Sequence, residues 1–233
     1  MPSAFSILEI LYVIHVLIPT EDKVVLLRDF DFILSKGHGS LALYAVLNSA
    51  GYIENDWIQS FSREGSRFGG HPDRTKIPGV AASTGSLGHG LPFAIGRILA
   101  NRNRGKFHRS FCLLGDGELN EGSNWESFLL AESLKLSELC LIIDFNNSTT
   151  RATPISNLES KLLSFGFEVY SVNGHDLFEL KETLSKPIAI KPMAVIANTI
   201  KGKGINAIEN SFAWHHKSPN FEELNDFLEE LRR

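Results

Sequence analysis

Two short segments combine residue types suited to a charged ligand. Gly115-Asp116-Gly117-Glu118 follows the apolar run Phe111 to Leu114, and Asp144-Phe145-Asn146-Asn147 closes the apolar run that begins at Leu139. A glycine on each side of Asp116 lets the backbone turn sharply and lets a phosphate approach closely. Alone, Gly-Asp-Gly is an ordinary turn. The second segment changes its weight, because Asp116 and Asn146 then fall at the ends of two strands. A carboxylate, an amide oxygen and a nearby backbone carbonyl make a hard oxygen set. Mg²⁺ favours such a set when ligand phosphates complete its octahedron.

Other loops repeat the combination of glycine with histidine or lysine. They are Ser35-Lys36-Gly37-His38-Gly39-Ser40, Gly70-His71-Pro72, Ser83-Thr84-Gly85-Ser86-Leu87-Gly88-His89-Gly90 and Lys201-Gly202-Lys203-Gly204, with Trp214-His215-His216-Lys217 near the end. Any one such histidine is usually a turn or surface residue. Several of them in the loops of one chain suggest a shared site. The spacings do not suit zinc, since neither His-x-x-x-His nor Cys-x-x-Cys occurs. A dinucleotide site is also poorly supported, because no Gly-x-Gly-x-x-Gly opens a helix after the first strand.

The elements that must position these loops alternate. Strands are expected at 111–114, 139–145, 168–172 and 193–200, and one ends at Leu34. Helices are expected at 125–136, 158–165, 177–184 and 221–233, the last capped within Ser218-Pro219-Asn220. Apolar strands alternating with helices predict a parallel sheet covered on both faces. Ligands bind such sheets beyond the C-terminal strand ends, where the loops after Leu34, Leu114, Phe145 and Ile200 lie. The apolar stretch from Ala4 to Ile18 contains Glu9 and His15 and is too short to span a bilayer, so it reads as a buried helix.

Composition agrees with a globular chain. Among 233 residues, 43% are hydrophobic and 21% charged, and 23 basic against 27 acidic residues leave a formal charge of −4. These values exclude a disordered chain and nucleic-acid binding driven by net positive charge. Cys112 and Cys140 lie in apolar runs, the pattern of buried free thiols in a reducing compartment. The expected location is the cytoplasm.

Together these segments resemble the transketolase family, in particular the N-terminal, diphosphate-binding subunit of split transketolases. The matching stretches are FILSKGHGSLALYAVLNSAGYI, GGHPDRTKIPGV, STGSLGHG, LLGDGELNEGSNWES, DFNN, VNGHD, NTIKGKG and WHHKSP, in the family's order. The resemblance implies a three-layer α/β/α thiamine diphosphate-binding fold with a mostly parallel sheet, occupying residues 1–233 as one domain. It also implies Mg²⁺ held by Asp116, Asn146 and the Ser148 carbonyl. Cofactor contacts are expected from His38, Gly85, Ser86, Leu87, Gly115, Asp116, Gly117, Glu118, Asp144, Asn146, Thr150, Lys201 and His215. His38, His71 and His215 are the expected catalytic imidazoles. The implied activity is transfer of a two-carbon ketol unit from a ketose, phosphorylated or nucleotide-linked, to an aldose.

The resemblance also has gaps. The family's Ser-Gly-His-Pro-Gly-Gly loop ahead of the helix matching Ser3 to Val13 does not occur. His89 stands where glutamine is usual, Ser-Thr-Thr-Arg-Ala-Thr follows Asn147, and His216 replaces a glycine. Cofactor binding is therefore expected to be kept and sugar binding altered. An inactive or regulatory homologue is the alternative reading. The chain closes soon after His215, so the pyrimidine-binding domain with its activating glutamate is expected on a separate C-terminal subunit. The expected assembly has two copies of each chain and involves neither nucleic acid nor membrane.

Overall fold

A computed structural model describes residues 2–18, 30–148, 153–214 and 217–232. Five parallel strands form one sheet: β1 (Phe30–Leu34), β2 (Arg109–Gly115), β3 (Leu139–Phe145), β4 (Glu168–Asn173) and β5 (Met193–Asn198). Their order is β1-β2-β3-β5-β4. Strand side chains alternate between two apolar cores. Phe30, Phe32, Phe111, Leu113, Cys140 and Ile142 enter one, while Ile33, Cys112, Leu114, Leu141 and Ile143 enter the other.

The first core is closed by α1 (Pro2–Phe5), α2 (Leu8–Tyr12, continued by a π turn over Val13–Leu17), α3 (Ser40–Ser49) and, after the short α4 (Trp57–Ser60), by residues further along the chain. The second core is closed by α5 (Gly90–Asn103), α6 (Gly122–Ser133) and α7 (Leu158–Ser164). The helix α8 (Leu177–Leu184) lies on the first face, and α9 (Phe221–Glu230) packs Phe227 with Trp214, Ile205 and Ile208. The result is the expected three-layer α/β/α arrangement.

Expected and observed elements agree in kind and differ at their ends. The strand expected at 193–200 stops at Asn198, and the glycine-rich turn over 201–204 follows after two more residues. The helix expected at 125–136 begins at Gly122 and ends at Ser133. The expected continuous helix from Ala4 to Ile18 is interrupted at Ser6–Ile7. The Ser6 hydroxyl is drawn to Ser3 O (3.2 Å) and Asp144 Oδ2 (2.9 Å), and Ile7 leaves helical geometry. Both cysteines are buried free thiols, and burial pushes Cys140 up to about 12. Among the described residues, no helix is long and apolar enough to cross a membrane.

Candidate active site

The neighbouring strands β2 and β3 set the geometry. Gly115 lies in register with Asp144, so the residues just beyond each strand meet over the sheet's C-terminal edge. Asp116, Asn146 and Ser148 form one bonded cluster there. The Ser148 hydroxyl and the Gly117 amide both donate to Asp116 Oδ1 at 2.8 Å. The Ser148 amide donates to Asp116 Oδ2 (2.7 Å) and to Asn146 Oδ1 (3.1 Å). A left-handed Asn147 (φ 57°) swings Ser148 back onto Asp116. Both Asp116 and Asn146 are buried, and the side-chain oxygens they bring together accept from a hydroxyl and from amides. A donor set of carboxylate, amide and hydroxyl or carbonyl oxygens fits a hard divalent cation.

Asp144, expected at the cofactor, is fully buried and engaged by the protein itself. Its Oδ2 accepts from Lys36 Nζ, Ser6 Oγ (2.9 Å) and Asn146 Nδ2 (2.9 Å), and its Oδ1 accepts from Thr199 Oγ1. It therefore orients Asn146 and joins β3 to the loop after β5. Lys36 also donates to Ser6 Oγ (3.0 Å), and its stem lies along Gly115. Lys201 is half-buried near both carboxylates. Burial and then Lys36 lower its pKa, against Asp116 and Asp144.

Glu118 has a similar inward role. It is buried, and its Oε1 accepts from the Ser35 hydroxyl and from the Gly88 amide (2.9 Å). Ser35 Oγ in turn accepts from the Gly90 amide (3.1 Å). Thr84 Oγ1 donates to Leu34 O (2.6 Å). The loops after β1 and β2 and the 83–90 loop are thus laced together. Burial raises the Glu118 pKa, and its Oε2 is buried without a hydrogen-bond partner.

His38 and His71 are exposed and stack at 5.3 Å. A Cβ on Gly37 would lie 2.9 Å from both Gly85 Cα and His71 Cδ2, so glycine is what allows these loops to close on the imidazole. Gly85 itself has φ +150°. Ser86 and Leu87 are exposed on the next positions, Leu87 offering an apolar surface. His215 and Thr150 lie outside the described residues. Ser35, Lys36, Ser6 and Thr199 were not among the expected site residues. The Ser-Lys-Gly-His-Gly motif carried the signal for the first two. Ser6 and Thr199 had no local signal.

Strand-end oxygens over a parallel sheet, glycine loops that close on paired imidazoles, and two lysines nearby make an α/β domain whose C-terminal strand ends suit a charged ligand. The family description "Transketolase, thiamine diphosphate binding domain" matches residues 3–229. The chain belongs to that family. It is 43% identical over 208 residues to an apulose-4-phosphate transketolase subunit of Actinobacillus succinogenes, covering 86% of this chain and 75% of the relative. It is 35% identical over 191 residues to 6-deoxy-6-sulfo-D-fructose transketolase subunit SqwG of a Clostridium species, covering 79% and 70%. The transketolase of Campylobacter jejuni superposes with a TM-score of 0.80 at 31% identity. That match covers 87% of this chain but 34% of the solved one. This chain thus spans about a third of that transketolase.

Proposed function

We propose that this chain is the diphosphate-binding subunit of a two-chain transketolase. It would transfer a two-carbon ketol unit from a ketose to an aldose in the cytoplasm. The observation that carries this reading is the Asp116–Asn146–Ser148 cluster at the ends of adjacent strands. Its support is that both relatives of comparable length are named as transketolase subunits, not as whole transketolases. Residues 1–233 form one domain on this reading. The partner is a C-terminal subunit with the pyrimidine-binding domain and its activating glutamate, in an assembly with two copies of each chain. The sugars named for the two relatives bear a phosphate or a sulfo group, which supports a phosphorylated donor ketose here.

The roles divide by residue. Asp116, Asn146 and the Ser148 carbonyl hold Mg²⁺, which neutralises the diphosphate. Gly115, Gly117 and Lys201 receive the diphosphate itself, with His38 and His215 at its oxygens and Thr150 nearby. Gly85, Ser86 and Leu87 line the rings. Thiamine diphosphate, when bound, supplies the electron sink for a carbanion beside a carbonyl. His38 and His71 present N–H groups toward the oxygen of the sugar that gains charge, and either can hold the proton it needs. Glu118 and Asp144 act one step back, fixing the loops and Asn146.

Titration of the co-purified pair with thiamine diphosphate and Mg²⁺ tests the reading. Saturable, Mg²⁺-dependent binding is expected, and its absence refutes the enzyme assignment. Asp116→Ala should remove the Mg²⁺ dependence and weaken binding by roughly 100-fold or more, the scale of a lost charged ligand. Unchanged binding would reject Asp116 as a ligand.

A further inference from the structure

The turn Asn173-Gly174-His175-Asp176, between β4 and α8, lies directly against the loop that leaves β5. The Gly174 amide donates to Asn198 O at 2.8 Å, and a Cβ on Gly174 would come within 2.3 Å of Thr199 Cγ2. At this contact the Ile200 amide donates to His175 Nε2 at 2.8 Å. Nε2 must therefore be bare, and a neutral imidazole then carries its proton on Nδ1. His175 Nδ1 lies 3.1 Å from Glu9 Oε1 on α2. The contact is electrostatic rather than an aligned hydrogen bond, and a negative charge there favours the proton on Nδ1. Glu9 thereby selects the tautomer that can accept from Ile200.

Ile200 sits between two residues that face the site. Thr199 Oγ1 donates to Asp144, which holds Asn146 through Nδ2. Lys201 lies within electrostatic reach of Asp116 and Asp144. We propose that His175, its tautomer set by Glu9, is a positioning residue that holds Thr199 and Lys201 in register with the strand-end cluster. The proposal rests on the reading of that cluster as part of a thiamine diphosphate site. Its structural content, a fixed Ile200 amide, can be read without any cofactor.

The test uses the full chain co-purified with its partner chain. Amide exchange at Ile200 is followed beside the affinity for thiamine diphosphate with Mg²⁺. His175→Ala should speed exchange at Ile200 roughly tenfold and weaken the cofactor by a similar factor, as expected for one lost hydrogen bond to backbone. His175→Gln places an acceptor oxygen near the Nε2 position and should restore most of both. Glu9→Ala should move both readouts the same way by about threefold, and Glu9→Gln, which lacks the charge, should fall between it and the parent. Unchanged exchange at Ile200 in His175→Ala overturns the proposal. So does a Gln variant as impaired as Ala, since that marks a role in packing rather than acceptance. If His175→Ala does not fold, Glu9→Ala carries the test with the imidazole in place, and parental exchange there refutes it. A parent pair that binds no cofactor would refute the cofactor site, while exchange at Ile200 would still decide the positioning contact.

Discussion

Single carboxylates in this domain serve as joints between loops. Glu118 is the clearest case. One oxygen takes both the Ser35 hydroxyl and the Gly88 amide, and the two loops so joined include Gly37 and Gly85, which close on His71. Glu118→Ala would leave both donors buried and unpaired, so a loss of about 2–3 kcal/mol is expected in urea denaturation. Glu118→Gln keeps a carbonyl acceptor and sheds a buried charge, and should stay within about 1 kcal/mol of the parent. A neutral alanine variant would show that the joint is dispensable. Glu118, expected from the resemblance at the cofactor, turns inward to Ser35 and Gly88, a direction that a sequence does not show for a side chain just after a strand end. Asp116, from the same segment, is also buried but turns toward Asn146 and Ser148.

Elements fix what residues cannot. His15 lies in the π turn that prolongs α2, fully buried edge-on against Phe32 with neither nitrogen hydrogen-bonded. Burial holds its pKa at about 4, against 6.5 for the free side chain. Below pH 6.5 the unfolded chain therefore binds more protons, so stability declines as the pH falls from 6.5 toward 4 and then levels off. The full loss is about 3 kcal/mol. His15→Leu should flatten that acid limb, and an unaltered limb in urea titrations from about pH 7 to 4 would remove His15 as its cause. At the other end, Asn220 caps α9 by accepting from the Glu223 amide, and Glu223 returns the bond in a capping box. Asn220→Ala should cost about 1 kcal/mol, seen as faster amide exchange confined to α9 and the Trp214 cluster. These elements were legible to differing degrees. Strand β3 and helix α8 could be bounded from sequence to the residue: the apolar run from Leu139 to Ile143 marks the strand, and Leu177, Leu180 and Leu184 recur at helical spacing between Asp176 and Ser185-Lys186-Pro187. The break at Ser6 could not, since it depends on Asp144, 138 positions away. Asp116 and Asn146 could be paired from sequence, both standing at strand ends, whereas Thr199 and His175 could not: Thr199 meets Asp144 only when β5 lies beside β3, and His175 meets Ile200 only when β4 lies beside β5.

At the scale of the whole molecule, the sheet's C-terminal edge gathers Asp116, Asn146 and Ser148 into one cluster, which the proposed function reads as one half of a cofactor site. On the proposed function Asp116, Asn146 and Ser148 would meet the diphosphate end, and the stacked His38 and His71 are exposed. On the proposed function, the activating glutamate comes from another chain, so cofactor, metal and partner must stabilise one another. That linkage has a measurable size. A ligand bound to the native state alone, at about 100 times its Kd, stabilises by about 2.7 kcal/mol. For a domain of this length that is a rise in Tm of roughly 5–10 °C. The reconstituted pair should therefore melt higher by that amount with thiamine diphosphate and Mg²⁺ together, and by little with the cofactor plus a chelator. The isolated chain should gain less than the pair, because it supplies only the diphosphate side. Asp116→Ala should abolish the rise in the pair without lowering the melting point of the unliganded protein by as much, since its amide and hydroxyl donors can turn to water. An equal rise in the isolated chain would mean that this domain binds the cofactor unaided, and the dependence on a second chain would fall.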